Sequence, residues 1–178
     1  AVAVAFGMDW SILFPIYGAI VFITAIMVYS LNVKEKKDNA EPASLGSCLK
    51  LLRNPYVFAM VFAIFLYVGA EVSMSSQVPI LMKESFGLEQ FGLWISWALF
   101  FLPIFLGRLF GAFILRKMNA VKFLLITVIL SLLGIILLLT GINVLAFSGI
   151  ILVGLGFANI FPLIFSITVD HMPERANE

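Results

Sequence analysis

The chain has 178 residues, of which 62% are apolar and only 12% are charged, and its net charge is +1. A soluble domain is nearer half apolar and a quarter charged, so this composition excludes a water-facing surface and indicates lipid as the solvent. The near-neutral charge gives no support to a nucleic-acid partner, and the single cysteine excludes an internal disulfide.

Five windows reach the roughly 20 apolar residues that a helix needs to cross a bilayer core. They are too long for strands and lack the alternation of a barrel wall. The sequence therefore predicts an all-α membrane protein with five transmembrane helices, at about 11–31, 56–82, 91–115, 123–140 and 144–169.

The connectors between these spans predict the orientation of the chain. The connectors after the first and third spans are rich in lysine and arginine. Of the other two, one contains a single basic residue, Lys83, and the other contains none. Because basic residues collect on the cytoplasmic side, both basic connectors are expected inside the cell. The N-terminus of the chain is then outside, and the C-terminus is cytoplasmic.

The long connector, 32–55, contains a second feature. Residues 44–53 place Leu45, Leu49 and Leu52 at helical spacing, with Lys50 and Arg53 elsewhere. This pattern predicts a short amphipathic helix on the inner membrane surface, with an ordinary loop as the alternative. The chain starts without Met and stops after DHMPERANE, so we expect it to be an internal fragment of a longer protein.

Glu71 lies in the middle of the second span. An acid at this depth costs about 2.5–3.5 kcal/mol on insertion scales, which indicates a compensating role in proton exchange or ligand binding. Tyr67 and Ser75 share its helix face, and Gln77 adds to a polar outer half that a water-filled pathway would hydrate. The alternative is a Glu71 paired to a neighbouring helix for packing only. Pro79 predicts a kink or the end of regular helix.

The fifth span carries a second polar point at similar depth. Asn159 offers donor and acceptor groups that suit a hydroxyl-rich ligand, although helix–helix packing explains it equally well. Asp170 lies on the same stripe. Pro162 removes a backbone donor in mid-helix and thereby exposes a nearby carbonyl. Packing is the preferred interpretation of Gly149, Gly154 and Gly156.

The third span contributes aromatic side chains. Trp97 and Phe101 lie at a depth where they can line a cavity and stack on the C–H face of a sugar ring, with ordinary packing as the alternative. The span closes with GRLFGAFILRK, whose Gly107 and Gly111 permit close backbone packing. Its basic residues are either a positive-inside signal or part of an inner gate that binds an acid or a helix C-terminus in one conformation only. The predicted gate set is Gly107, Arg108, Gly111, Arg116, Lys117 and Asp170, with Asp170 as one candidate acid for these basic groups.

The sequence shows no nucleotide-binding loop, no nucleophile beside a base and no metal-ligand cluster. The lone His171 has no partner at ligand spacing. We therefore predict that the protein is not an enzyme and has no cofactor or metal.

The five spans, the long basic connector and GRLFGAFILRK resemble the major facilitator superfamily, whose two six-helix halves are joined by a long cytoplasmic loop. GRLFGAFILRK is similar to the motif after the second helix of each half, without its aspartate. The resemblance implies that residues 1–31 end the N-terminal half, that 32–55 form the cytoplasmic connector and that 56–178 belong to the C-terminal half. The five spans are then the sixth to tenth helices of twelve.

Two stretches, YVGAEVSMSS and GFANIFPLIFSITVD, resemble the bacterial fucose–glucose–galactose:proton symporters, more closely the glucose/galactose type. Fucose permeases of that branch carry glutamine where Glu71 stands. The resemblance implies a proton-coupled monosaccharide importer of the bacterial inner membrane that works by alternating access. The sugar binds between the halves, and proton-coupling acids lie in the absent half. An exporter of drugs or organic ions and a non-transporting sugar sensor or scaffold are the alternatives.

Overall fold

The computed structural model of the protein describes residues 10–31, 44–87 and 95–173. The regular elements of these residues are all helical, as the sequence predicted. A 3-10 turn at Trp10–Ile12 leads into α1 (Leu13–Ser30), followed by α2 (Leu45–Leu51), α3 (Pro55–Glu84), α4 (Leu102–Leu115), α5 (Ala120–Leu138) and α6 (Asn143–His171). A π-helical turn at Trp97–Phe101 runs directly into α4. In the described residues, five helices are long and apolar enough to cross a membrane.

The chain divides into two units, Ala1–Glu41 and Pro42–Glu178. The first contains α1, which buries none of its side chains even though it is apolar all round. A helix that is hydrophobic on every face belongs either in a protein core or in lipid. In this unit only lipid or a further protein segment can cover that surface.

Polar caps start the helices of the second unit. At the start of α2, the Ser44 hydroxyl accepts from the backbone N–H of Ser47, and the backbone N–H of Ser44 donates in return to the Ser47 hydroxyl. Asn54 accepts from the N–H of Tyr56, and Pro55 fills the first helical position of α3. The segment that was predicted as an amphipathic helix or a loop is thus helical over Leu45–Leu51.

Helix α6 forms the centre of the second unit, because more than half of its most apolar segment is buried. α3 runs antiparallel to it along the whole bundle. Ring contacts join Tyr56 to His171 at one end, with 4.2 Å between centroids, and Phe86 to Phe147 at the other, with 5.0 Å. Between them lies an apolar core of α3, α6 and the π turn, which includes Met82, Val78, Phe100, Ile150 and Val153.

Small residues bring the neighbouring helices close to α6. A Cβ added at Gly134 of α5 would lie 2.7 Å from the carbonyl oxygen of Gly149, and one at Gly154 would lie 2.6 Å from that of Phe100. Both distances are too short for real contacts, so these positions admit only glycine without a shift of the backbone. The glycines of the fifth span therefore pack against α5 and the π turn.

Helix α3, which corresponds to the second predicted span, differs from the prediction at Pro79. α3 continues through this proline to Glu84, so Pro79 does not end the helix. Membrane helices tolerate proline because neighbouring groups satisfy the freed backbone. The irregularity lies instead in the next span, where five π-helical residues precede Pro103 of α4. Pro103 has no backbone N–H to donate. The π turn directly before it has already altered the regular pattern of backbone hydrogen bonds at this position.

Candidate functional site

Glu71 and Arg108 form an ion pair between two membrane helices. Glu71 lies near the middle of the 30-residue α3, and Nη2 of Arg108 on α4 lies 3.5 Å from its Oε1. The Glu71 side chain is 26% exposed and that of Arg108 is 54% exposed. A charge at bilayer depth is tolerated when it is paired or faces a water-filled cavity, and this pair meets the first condition while it remains partly open.

The guanidinium of Arg108 also contacts a third helix. Its Nε donates a hydrogen bond of 3.2 Å to the carbonyl oxygen of Ala158 on α6. In an uninterrupted helix that oxygen would accept from the N–H four residues later, but residue 162 is a proline and has none. Pro162 thus provides the acceptor that holds one side of Arg108 while the other side reaches Glu71.

Tyr67 fixes α3 against α6 one turn before Glu71. Its hydroxyl donates to the carbonyl oxygen of Phe157 at 2.8 Å, and the two rings meet edge to face with centroids 5.5 Å apart. The side chain is buried. Tyr67, which was predicted as a pathway-lining residue, thus links α3 to α6 and sets the height of Glu71 beside α6.

Asn159 makes the matching link between α6 and α4. Its Nδ2 donates to the carbonyl oxygen of Gly107 at 2.8 Å, and the residue is 6% exposed. The Asn159 side chain fills the space next to Gly111, where a Cβ would collide with its amide group. The G-x-x-x-G pair therefore lets α4 approach the amide, and this geometry fits the helix-packing interpretation of Asn159.

An aromatic groove adjoins the ion pair on α4. Phe101, Leu102, Ile104, Phe105 and Arg108 line an open concavity of about 530 Å³. Both Phe101 and Phe105 are exposed. The groove thus combines apolar rings with a guanidinium at its edge. The backbone of Trp97 belongs to the π turn, and the structure does not describe its side chain.

The other predicted pathway residues do not join this cluster. The hydroxyl of Ser75 donates to the carbonyl of Val72 in its own helix at 2.8 Å. Gln77 is exposed and lines a different concavity with Leu138 and Leu139 near the end of α5. The polar C-terminal half of α3 is thus satisfied largely by bonds of its serines to the preceding turn, which the sequence pattern did not indicate.

The predicted gate residues separate into two groups. Arg108 pairs with Glu71 and not with Asp170, because α6 presents Ala158 to it and Asp170 lies exposed about three turns further along. Gly107 and Gly111 lie against Ala158 and Asn159. Arg116 and Lys117 are exposed just after α4, where the Arg116 guanidinium lies 5.7 Å from the ring centroid of Phe113.

The sequence did not identify the Phe157 carbonyl as the acceptor of Tyr67 or Arg108 as the partner of Glu71. The carbonyls of Phe157 and Ala158 carry no side-chain signal, although a proline four residues after Ala158 points to one of them. Glu71 and Arg108 both stand out in the sequence as charges inside apolar spans, but their pairing was not predicted. Within the described ranges, no group of three His, Cys, Asp or Glu residues could hold a metal ion.

Comparison with known proteins gives one match. The sequence profile of the Major Facilitator Superfamily matches residues 1–178. No curated protein and no solved structure matches the chain. Since the profile spans all of the chain and the five long apolar helices agree with it, the chain belongs to the Major Facilitator Superfamily, a family of membrane transporters.

Proposed function

We propose that the protein imports a monosaccharide, such as glucose, galactose or fucose, together with protons by alternating access. The observation that carries this proposal is the Glu71–Arg108 pair, which is half open at mid-depth and adjoins an aromatic groove. A carboxylate accepts hydrogen bonds from sugar hydroxyls and a guanidinium donates to them. The exposed faces of Phe101 and Phe105 suit the C–H face of the same ring.

In this proposal the residues have distinct roles. Glu71 and Arg108 contact the sugar, and Phe101, with Trp97, provides the stacking surface. Tyr67 and Asn159 are positioning residues, because each bonds a backbone carbonyl of the neighbouring helix and thereby holds α3, α4 and α6 at one relative height. Ser75 and Gln77 line the pathway further along α3.

The half-open site needs a second wall. We propose that the chain is an internal part of a twelve-helix protein, in which 1–31 end the first half, 32–55 form the cytoplasmic connector and 56–178 belong to the second half. The missing N-terminal half covers the exposed side of Arg108 and carries the acids that couple the proton. Alternating access then rocks the two halves around the fixed site.

The proposed setting is the bacterial inner membrane, with the basic ends of the helices in the cytoplasm. Lys50, Arg53, Arg116, Lys117 and Lys122 are all exposed at helix ends that this orientation places inside. Arg116, Lys117 and Asp170 form the inner gate, and the close contacts of Gly107 and Gly111 let α4 and α6 move as one body.

Uptake by proteoliposomes that contain the complete transporter tests this function. Labelled glucose, galactose or fucose should accumulate when the outside is acidic, and a protonophore should abolish the accumulation. Binding without accumulation in any gradient would instead indicate a sensor. Export of drugs or organic ions without sugar uptake would indicate the exporter. The pairing of Glu71 with Arg108 favours an uncharged substrate over an organic cation, because a cation at Glu71 would compete with Arg108.

A further inference from the structure

We infer that Arg108 determines substrate specificity: its pairing with Glu71 makes the site select uncharged polyhydroxylated ligands over their anionic and cationic analogues. This inference deepens the proposed function and rests on it. The ion pair leaves part of the hydrogen-bonding capacity of both side chains unused.

A guanidinium carries five N–H donors, and a carboxylate has about four acceptor positions. In the ranges that the structure describes, Arg108 uses Nε toward Ala158 and Nη2 toward Glu71, through a single ion-pair contact of 3.5 Å. The arginine side chain is half exposed and borders the aromatic groove. The Tyr67 hydroxyl also interacts with both charged groups, and the remaining donors and acceptors of the partly exposed pair can serve a ligand in that groove.

An uncharged ligand can use these groups without separating the charges. One hydroxyl can donate to the carboxylate of Glu71, and the next can accept from the guanidinium of Arg108, so both ions keep their partner. Arg108 is also tethered to Ala158, so it has little freedom to follow a ligand away from Glu71. The pair thus presents a donor and an acceptor at a set separation, which vicinal hydroxyls match.

A charged ligand disturbs the balance. An anion attracted to Arg108 competes with Glu71 and leaves a carboxylate without a counter-ion in a weakly polar setting, where such a charge is costly. A cation attracted to Glu71 leaves Arg108 in the same condition. Specificity then arises from the penalty against the wrong ligand as well as from contacts with the right one.

The inference predicts a specificity switch when one member of the pair is neutralised. In Glu71→Gln, the uncompensated Arg108 should favour a sugar acid, so a uronic acid should gain at least tenfold in competition relative to the neutral sugar. In Arg108→Gln, the uncompensated Glu71 should favour a protonated amino sugar to a similar extent. Loss of packing alone would weaken all three ligands together and would not change their ratios.

The experiment measures competition of the neutral sugar, its uronic acid and its amino sugar against labelled sugar uptake by the complete transporter. Ligand-induced shifts in melting temperature give the same ratios for variants that bind but do not transport. Glu84→Gln and Lys83→Gln remove an exposed acid and an exposed cation at the far end of α3, and should leave the ratios unchanged.

The wild type should prefer the neutral sugar at least tenfold over both charged analogues. If the protein takes up sugar but neither Glu71→Gln nor Arg108→Gln changes the ratios among the three ligands, the inference is wrong and the proposed function stands. A wild-type protein that neither binds nor takes up a neutral sugar would overturn both.

Discussion

Arg108 donates its Nε–H to the carbonyl that Pro162 leaves without a helical donor. Through this bond and the ion pair with Glu71, one side chain of α4 contacts both α3 and α6. Pro162 of α6 and the charged residues of the site are thus connected through the Ala158 carbonyl. A change at Pro162 should therefore affect the ion pair.

Pro162→Ala should raise stability and lower substrate affinity. The new N–H restores a helical bond to Ala158, which stabilises α6 by about 1 kcal/mol or more and draws the carbonyl back toward the helix axis, away from Arg108. Apparent sugar affinity should then fall by about threefold to tenfold, or roughly 0.7–1.4 kcal/mol. Thermal unfolding in detergent and uptake kinetics measure the two effects.

The matched control is Pro79→Ala, which restores an interior N–H in α3 at a distance from the ion pair. It should raise stability without loss of affinity. An equal affinity in wild type and Pro162→Ala would show that the carbonyl of Ala158 does not position Arg108.

Glu71→Gln should impair sugar binding in the complete protein. Glutamine keeps the shape of the side chain but replaces one acceptor oxygen by a donor and removes the charge that faces Arg108. We expect a loss of about tenfold in affinity, or about 1.4 kcal/mol, or a changed pH profile of binding. Titration of sugar binding at several pH values measures both. Unaltered affinity and pH profile would remove Glu71 from the mechanism, and Glu84→Gln is the exposed control on the same helix.

Tyr67→Phe should destabilise the contact of α3 with α6. The substitution removes only the hydroxyl, whose bond to the Phe157 carbonyl is buried, and a typical bond of this kind contributes about 0.5–1.5 kcal/mol. The edge-to-face ring contact remains. Thermal unfolding should show the loss, whereas Tyr29→Phe on the exposed surface of α1 should show none. Equal melting temperatures for the two variants would contradict the link assigned to Tyr67.

Gly111→Ala should destabilise the packing of α4 on α6. The added methyl group collides with the amide of Asn159, which must rotate and give up its bond to Gly107. Overpacking of this kind costs about 1–3 kcal/mol. Gly69→Ala is the control, because a Cβ there meets nothing within 4 Å and alanine favours helix by about 1 kcal/mol. A Gly111→Ala protein that melts like Gly69→Ala would show that Asn159 does not fill this space.

Much of the fold was predictable because the bilayer imposes a simple rule on sequence. A run of about 20 apolar residues has to be a helix, since no water is present to satisfy a loose backbone. The prediction of an all-α protein with five such helices was therefore confirmed. Helix ends were less predictable: α3 passes through Pro79, and a π turn precedes α4, because packing against neighbours decides whether a proline interrupts a helix.

The sequence predicted which residues belong to the candidate site better than it predicted the contacts between them. An acid inside a span is conspicuous because of its desolvation cost, and so Glu71 stands out from the sequence alone. Asn159 stood out as well, but its partner is a backbone carbonyl of Gly107, which no side-chain pattern reports. Asp170 lies about three turns of α6 beyond Ala158, the residue that faces Arg108, so its predicted pairing with the other basic gate residues stays a prediction.

The sequence by itself determined the solvent, the helices, the depth of Glu71 and the carbonyl that Pro162 frees, because each follows from hydrophobic length or local covalent geometry. Only the tertiary structure decided that Arg108 meets Glu71 and Ala158, and that Asn159 meets Gly107. The two hydrogen bonds between α4 and α6 join residues that lie 50 and 52 positions apart along the chain. Such contacts depend on how each helix is rotated about its axis and how closely glycine lets it approach its neighbour.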